Sequence, residues 1–558
     1  MSKQEYEGQI VDVHQQTIYS GKVTVSNGKI ESIEPVETTQ STYLCPGLID
    51  AHVHIESSML VPTEFARLAL PFGTVGTISD PHEIGNVLGV DGVKYMIENA
   101  KLTPLKVMFG APSCVPATNS ELETSGAEIT ASDVSELLKM PQIGYLAEVM
   151  NFPGVLQGDP ELLKKINSAL ALNLPIDGHF PGGKGEDAKR YIEGGKPGEV
   201  TITTDHECYS LEEALSKISH GMKITIREGS AAKNFEALKD LFKQCSPEQI
   251  MLCSDDKHPN DLVLGHIDAL VRRAVSEGND PLAIITSATK TPVEHYNMDV
   301  GLLREGDPAD FIRVENLEDF KVLETYIDGE LVAKDGECLL KSAPITIVNK
   351  FSRDNISADS LAVTAPDAAL NNSSKIRAIK VIDQEIITEE AHIAPTAEDG
   401  KLVSDTSKDL LKIVVVNRYE NTPPAIAFVS GFNLKKGALA SSVAHDCHNI
   451  IAVGVSDSDI ANAVNAVIEA KGGVSTASNG ETNLLPLPIA GLMSDQDGHT
   501  VAKQYDILEE KAKSLGSTLA SPFMSLSFLA LLVIPSLKLS DKGLFSGESF
   551  KFVDIYSS

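Results

Sequence analysis

Between residues 47 and 256 eight short apolar runs recur: GLIDAHVHI, TVGTISD, LKVMFGAP, IGYLAEVM, LPIDGHF, VTITTDH, MKITIREGS and QIMLCSDD, separated by helix-forming connectors such as PELLKKINSALALN. Runs of this length read as buried strands, and repeated strand-helix alternation calls for a parallel sheet with helices packed outside it. Eight such units are the number that closes a barrel, so an α/β fold is predicted, a (β/α)8 barrel of the TIM type over residues 51–300. The carboxyl ends of barrel strands share one rim. His52, His54, Asp80, Glu148, His179, His206 and Asp255 all fall at or near those ends, a clustering that packing alone explains poorly.

Two turn signals bracket this region. Asn27-Gly28 in KVTVSNGKIESIEP and Asp328-Gly329 in ETYIDGELVAKDGE each sit between alternating apolar and polar residues, as in a hairpin with a tight turn of positive backbone angles. They predict one small flanking β-sandwich assembled from residues 1–50 and 301–345. Beyond it, SRDNISADSLAVTAPDAALNNSSK reads as a polar linker, followed by the strands LLKIVVVNRYE and PAIAFVSGF. In DIANAVNAVIEAKGG the apolar Ile460, Val464, Val467 and Ile468 recur at helical spacing. Residues 346–558 are therefore expected to form a separate C-terminal α+β domain.

The charge balance narrows the partners. Against 78 Asp and Glu stand 47 Lys and Arg, a net charge of −31, which repels nucleic-acid phosphates and anionic membranes. A small-molecule substrate is expected, with no nucleic acid and no membrane. Seven scattered cysteines without a CxxC pair indicate neither a disulfide framework nor a thiolate zinc site and suit a cytoplasmic setting. The opening MSKQEYEGQIVDVHQQ lacks a basic segment followed by an apolar run, and the longest apolar stretch, near Phe528 to Pro535, is too short to span a bilayer.

His52 and His54 are two apart on an expected strand, project to the same side and can share one metal ion. Glu148 lies in an otherwise apolar strand, where an unpaired carboxylate is costly unless a cation compensates it. His179 and His206 add nitrogen ligands and Asp255 a carboxylate. Asp80, His82 and Glu83 in SDPHEIGN read as pocket-lining, substrate-binding residues in preference to ligands. His445, Asp446 and His448 in HDCHNI are expected at a capping loop or pocket edge, because histidines three apart in a strand-like region face opposite sides.

In this order, His52-x-His54, a carboxylate on the fourth strand, His179 on the fifth, His206 on the sixth and Asp255 on the eighth resemble the ligand series of the amidohydrolase superfamily. Many binuclear members carry a carboxylated lysine where this chain has Glu148. With SDPHEIGNVLG, AEVMNFPGV, DGHFPG, TTDHE, SDDKHPNDL and HDCHNI, the chain is similar over essentially its whole length to the adenine deaminase family. That resemblance implies two divalent cations, manganese or iron, with Glu148 bridging them, His52 and His54 on one, and His179 and His206 on the other. It implies adenine as substrate, Asp255 as ligand and proton carrier, a catalytic part for Glu148, and a homo-oligomer, with a homodimer favoured by analogy. A cyclic-amide hydrolase on the same barrel is the alternative.

Overall fold

The computed structural model describes residues 3–366 and 375–556. Eight parallel strands form its central sheet in strict sequence order: β1 (Leu48–Val53), β2 (Thr74–Ser79), β3 (Lys106–Ala111), β4 (Ile143–Val149), β5 (Ile176–Gly178), β6 (Thr204–Asp205), β7 (Lys223–Arg227) and β8 (Ile250–Cys253). Every run named in the sequence supplies one strand. The ring closes between first and last: the Asp255 amide donates to the His52 carbonyl at 3.0 Å and the His54 amide to the Asp255 carbonyl at 3.4 Å, a parallel bridge of Val53 with Asp255.

Strands from both sides of the barrel in sequence make one eight-stranded sheet beside it, in which Phe311–Val314 pairs with Tyr43–Pro46 and the latter with Gln4–Asp12. Both turn signals are hairpin tips. Asn27 and Gly28 have φ of 53° and 76°, and Asp328 and Gly329 of 48° and 76°, the left-handed angles such turns require.

The C-terminal region is built on a further eight-stranded mixed sheet. Its helix Asp457–Glu469 starts where the Ser456 side chain accepts the Asp459 amide, and it buries Ile460, Val464, Val467 and Ile468 against the sheet. The stretch read as a polar linker lies along this region, with Ile356 and Leu361 buried in the same cluster; its residues 367–374 lie outside the described residues. The helix Gly498–Ser514 docks on the barrel side, where Arg67 Nη1 meets Asp497 Oδ2 at 2.6 Å and the Gly498 amide donates to Glu64 Oε2 at 3.0 Å. The C-terminal region thus sits over the rim where the strand ends converge. Among the described residues no helix is long and apolar enough to cross a membrane.

Candidate active site and its metal-binding groups

The strand ends deliver their side chains to one buried cluster. His52 and His54 face each other through Nε2 atoms 3.2 Å apart, as the alternation of side chains along β1 demands. Glu148, near the end of β4, divides its two oxygens between two pairs of histidines. Oε1 lies 3.4 Å from His54 Nε2 and 3.6 Å from His82 Nδ1, and Oε2 lies 2.7 Å from His179 Nδ1 and 3.4 Å from His206 Nε2. Asp255 brings Oδ1 to 3.6 Å from His52 Nε2 and 3.3 Å from His54 Nε2. Its backbone is left-handed, φ 52°, a conformation Asp tolerates better than most residues, and the barrel-closing bonds on either side hold it there.

These groups fit divalent cations. Two imidazole nitrogens pointed at each other share at most one proton, whereas a cation at about 2.0–2.2 Å from each ligand accepts both lone pairs. His54 Nδ1 lies 3.1 Å from the Asp80 carbonyl; a proton donated there leaves the Nε2 lone pair for the cluster. Burial, reinforced by repulsion from His206 and His54, holds His52 well below the ordinary histidine range, so it is neutral near pH 7, as holding a cation would require. Burial opposes ionisation of Glu148, but His179 and His206 override it and hold the carboxyl well below its usual range. His54, Asp80, His82 and Glu148 form one group able to hold an ion; His52 groups with His54 and Asp255, and His52 and His206 with Glu148.

The structure therefore brings His52, His54, Glu148, His179, His206 and Asp255 together, and adds Asp80 and His82 to the same donor set. Asp80 Oδ2 stands 3.1 Å from His82 Nδ1. Glu83 lines the same chamber, 3.7 Å from His82 Nε2, and also reaches the C-terminal region. His445 Nδ1 reaches Glu83 Oε1 at 2.5 Å and His448 Nε2 meets Oε2. Both histidines address one carboxylate, correcting the expectation that they face opposite sides: residues 445–447 form a turn, not a strand, and His448 is left-handed at φ 52°. Their place at the pocket edge agrees with the sequence reading, since His445 and Asp446 line the chamber. Burial pushes the Asp446 carboxyl up to about 7.

Arg227, at the end of β7, was not singled out from sequence. It is buried, donates through Nη1 to Asp255 Oδ2 at 2.7 Å, and pairs with both oxygens of Glu207. Burial works against its charge, but Glu207 and Asp255 raise its affinity for the proton. The signal was present: a charged residue closing the apolar run MKITIR obeys the same rule that exposed Glu148. Behind the cluster, the Tyr191 hydroxyl donates to the Val149 carbonyl at 2.7 Å and accepts the His179 amide at 2.8 Å, fixing the ends of β4 and β5 relative to each other.

The chamber above the cluster is walled by the C-terminal region through Ile386, His445, Asp446, Phe528, Leu531 and Ile534, facing Met150 and Ala232 of the barrel. The apolar stretch that was too short for a bilayer thus lines the pocket.

Comparison with known proteins agrees with this geometry. Residues 43–332 match the amidohydrolase family, and residues 385–551 match the adenine deaminase C-terminal domain. An adenine deaminase of Sulfurovum sp. is 53% identical over 551 residues, covering 99% of both chains. One of Salinibacter ruber is 51% identical over 98% of both, and one of Methanosarcina mazei is 48% identical over 99% of both. A barrel rim bearing this donor set, joined to a matching C-terminal domain and to relatives that align from end to end, places the chain in the adenine deaminase family of amidohydrolases.

Proposed function

We propose that the protein hydrolyses adenine to hypoxanthine and ammonia at a site whose imidazoles and carboxylates, with Glu148 at their centre, would hold two divalent cations. The observation that carries this is the division of the Glu148 carboxylate, one oxygen toward His54 and His82 and the other toward His179 and His206. His52, His54 and Asp255 complete one side of the donor set and His179 and His206 the other. The donors are imidazoles and carboxylates, which suit manganese or iron. Bound there, the cations supply Lewis acidity that makes hydroxide available near neutral pH.

The chain's own groups then handle the protons. Asp255 has one oxygen held by Arg227 and the other turned to the cluster, so it is placed to take a proton from the attacking water. Attack at C6 gives a tetrahedral carbon, and the same carboxyl returns the proton to the departing amine. Glu148 sits beside that path and serves as a second proton contact. Glu207, engaged through both oxygens by Arg227, holds the guanidinium that aims Asp255. All of these side chains are buried, which strengthens each of these interactions. We place the enzyme in the cytoplasm, in purine salvage and as a homo-oligomer; the unpaired state of all seven cysteines supports the first.

The test is direct. Manganese-loaded protein given adenine is expected to release ammonia and hypoxanthine in equal amounts. Asp255→Asn is expected to lower turnover by about 10²–10⁴-fold, the usual worth of a positioned acid-base group. Metal-loaded protein that leaves adenine intact but opens a cyclic amide refutes the substrate assignment.

A further inference from the structure

The chamber has two chemically different ends. One is the donor cluster; the other is an apolar face that the C-terminal region supplies beside His445 and Asp446, where Phe528, Leu531 and Ile534 are 7%, 5% and 2% exposed and pack in one cluster with Met150 from the loop after β4. The reaction puts C6 of adenine at the donor end. N9 lies across the fused rings from C6, so a substituent there extends away from the donors, and the part of the lining that Phe528, Leu531 and Ile534 supply offers it no polar partner.

A buried lysine braces the wall. Lys538 is 0% exposed, its Nζ donates to the Ile386 carbonyl at 2.6 Å and the Phe528 carbonyl at 2.9 Å, and burial lowers it to about 7. Ile386 and Phe528 are 142 positions apart in sequence, and both line the chamber. Burying an amine that has only two carbonyl partners is costly, and what it achieves here is to fix two pocket-lining segments to each other.

We propose that Phe528, Leu531 and Ile534 are specificity determinants that reject purines substituted at N9, with Lys538 as their positioning residue. The inference rests on the adenine reading above. It is tested by kcat/KM for adenine, 9-ethyladenine and adenosine with the manganese-loaded enzyme. The unmutated protein is expected to favour adenine over 9-ethyladenine by about 10³-fold or more, because a packed wall does not yield to added volume. Phe528→Ala and Leu531→Ala are expected to narrow that ratio at least about tenfold, within the range that pocket volume controls, while kcat/KM for adenine falls less than the ratio does. Lys538→Met is expected to raise KM for adenine more than it lowers kcat and to narrow the same ratio, a split that general destabilisation does not produce. Should the alanine variants fail to fold, Leu531→Val and Ile534→Val remove one methylene each and carry the comparison.

An unchanged ratio in variants that still turn over adenine overturns the wall assignment, as does an unmutated enzyme that takes 9-ethyladenine as readily as adenine. Absence of any adenine turnover by the unmutated, metal-loaded protein instead overturns the functional reading beneath it.

Discussion

A carboxylate inside an apolar strand has to be compensated, and Glu148 is compensated by four imidazoles. Glu148→Gln keeps the shape and removes the charge that the proposed pair of cations needs. It is expected to purify with well under the unmutated metal content and to lose activity that added manganese does not restore, as read by elemental analysis and ammonia release. Arg227 makes the converse case. Arg227→Met leaves Asp255 and Glu207 buried without their cation, which costs about 3–5 kcal/mol when one member of a buried pair is removed; denaturant unfolding of the metal-free protein measures it. Glu148 was legible in sequence because its neighbours are apolar, and Arg227 was legible by the same rule. The pairing of His445 and His448 with Glu83 was not, because it depends on a turn and on a contact between residues 362 positions apart.

At the scale of elements, the eight runs could be read as strands because both faces of a barrel strand are buried, leaving unbroken apolar segments between polar ends. The lengths were less legible: β5 and β6 pair over only three and two residues, since each gives way to the loop that presents His179 or His206. Short strands need other ties, and Tyr191 is one. Tyr191→Phe strands the His179 amide and the Val149 carbonyl without their partner, a loss expected to cost about 1–3 kcal/mol. Turnover should fall as well, because Val149 follows Glu148 and His179 is itself one of the proposed ligands; unfolding and steady-state kinetics together separate the two effects. Residues 352–366 read as linker because they are polar on average, while the buried Ile356 and Leu361 that anchor them are too few to make a pattern.

For the whole molecule, the barrel provides the donors and the C-terminal region closes the chamber, so the contact between them is part of the site. The Glu83–His445 pair crosses that contact. Burial opposes protonation of His445, but Glu83 overrides it and raises the group from 6.5 to about 9. A histidine whose folded value is raised stabilises the fold fully below its unfolded value of 6.5, and that contribution fades as pH rises through 9. A shift of that size is worth about 3 kcal/mol at most. The stability difference between the metal-free protein and its His445→Gln variant is therefore expected to be largest near pH 6 and to shrink toward pH 9.5, as followed by unfolding at each pH; a difference that grows with pH contradicts the pairing.

The central claim is that adenine deamination depends on two cations held around Glu148. Metal-free protein titrated with manganese while ammonia release from adenine is followed tests it most directly. The account expects no turnover without metal and a linear rise that breaks at two ions per chain. A break at one ion, or turnover by the metal-free chain, would contradict it.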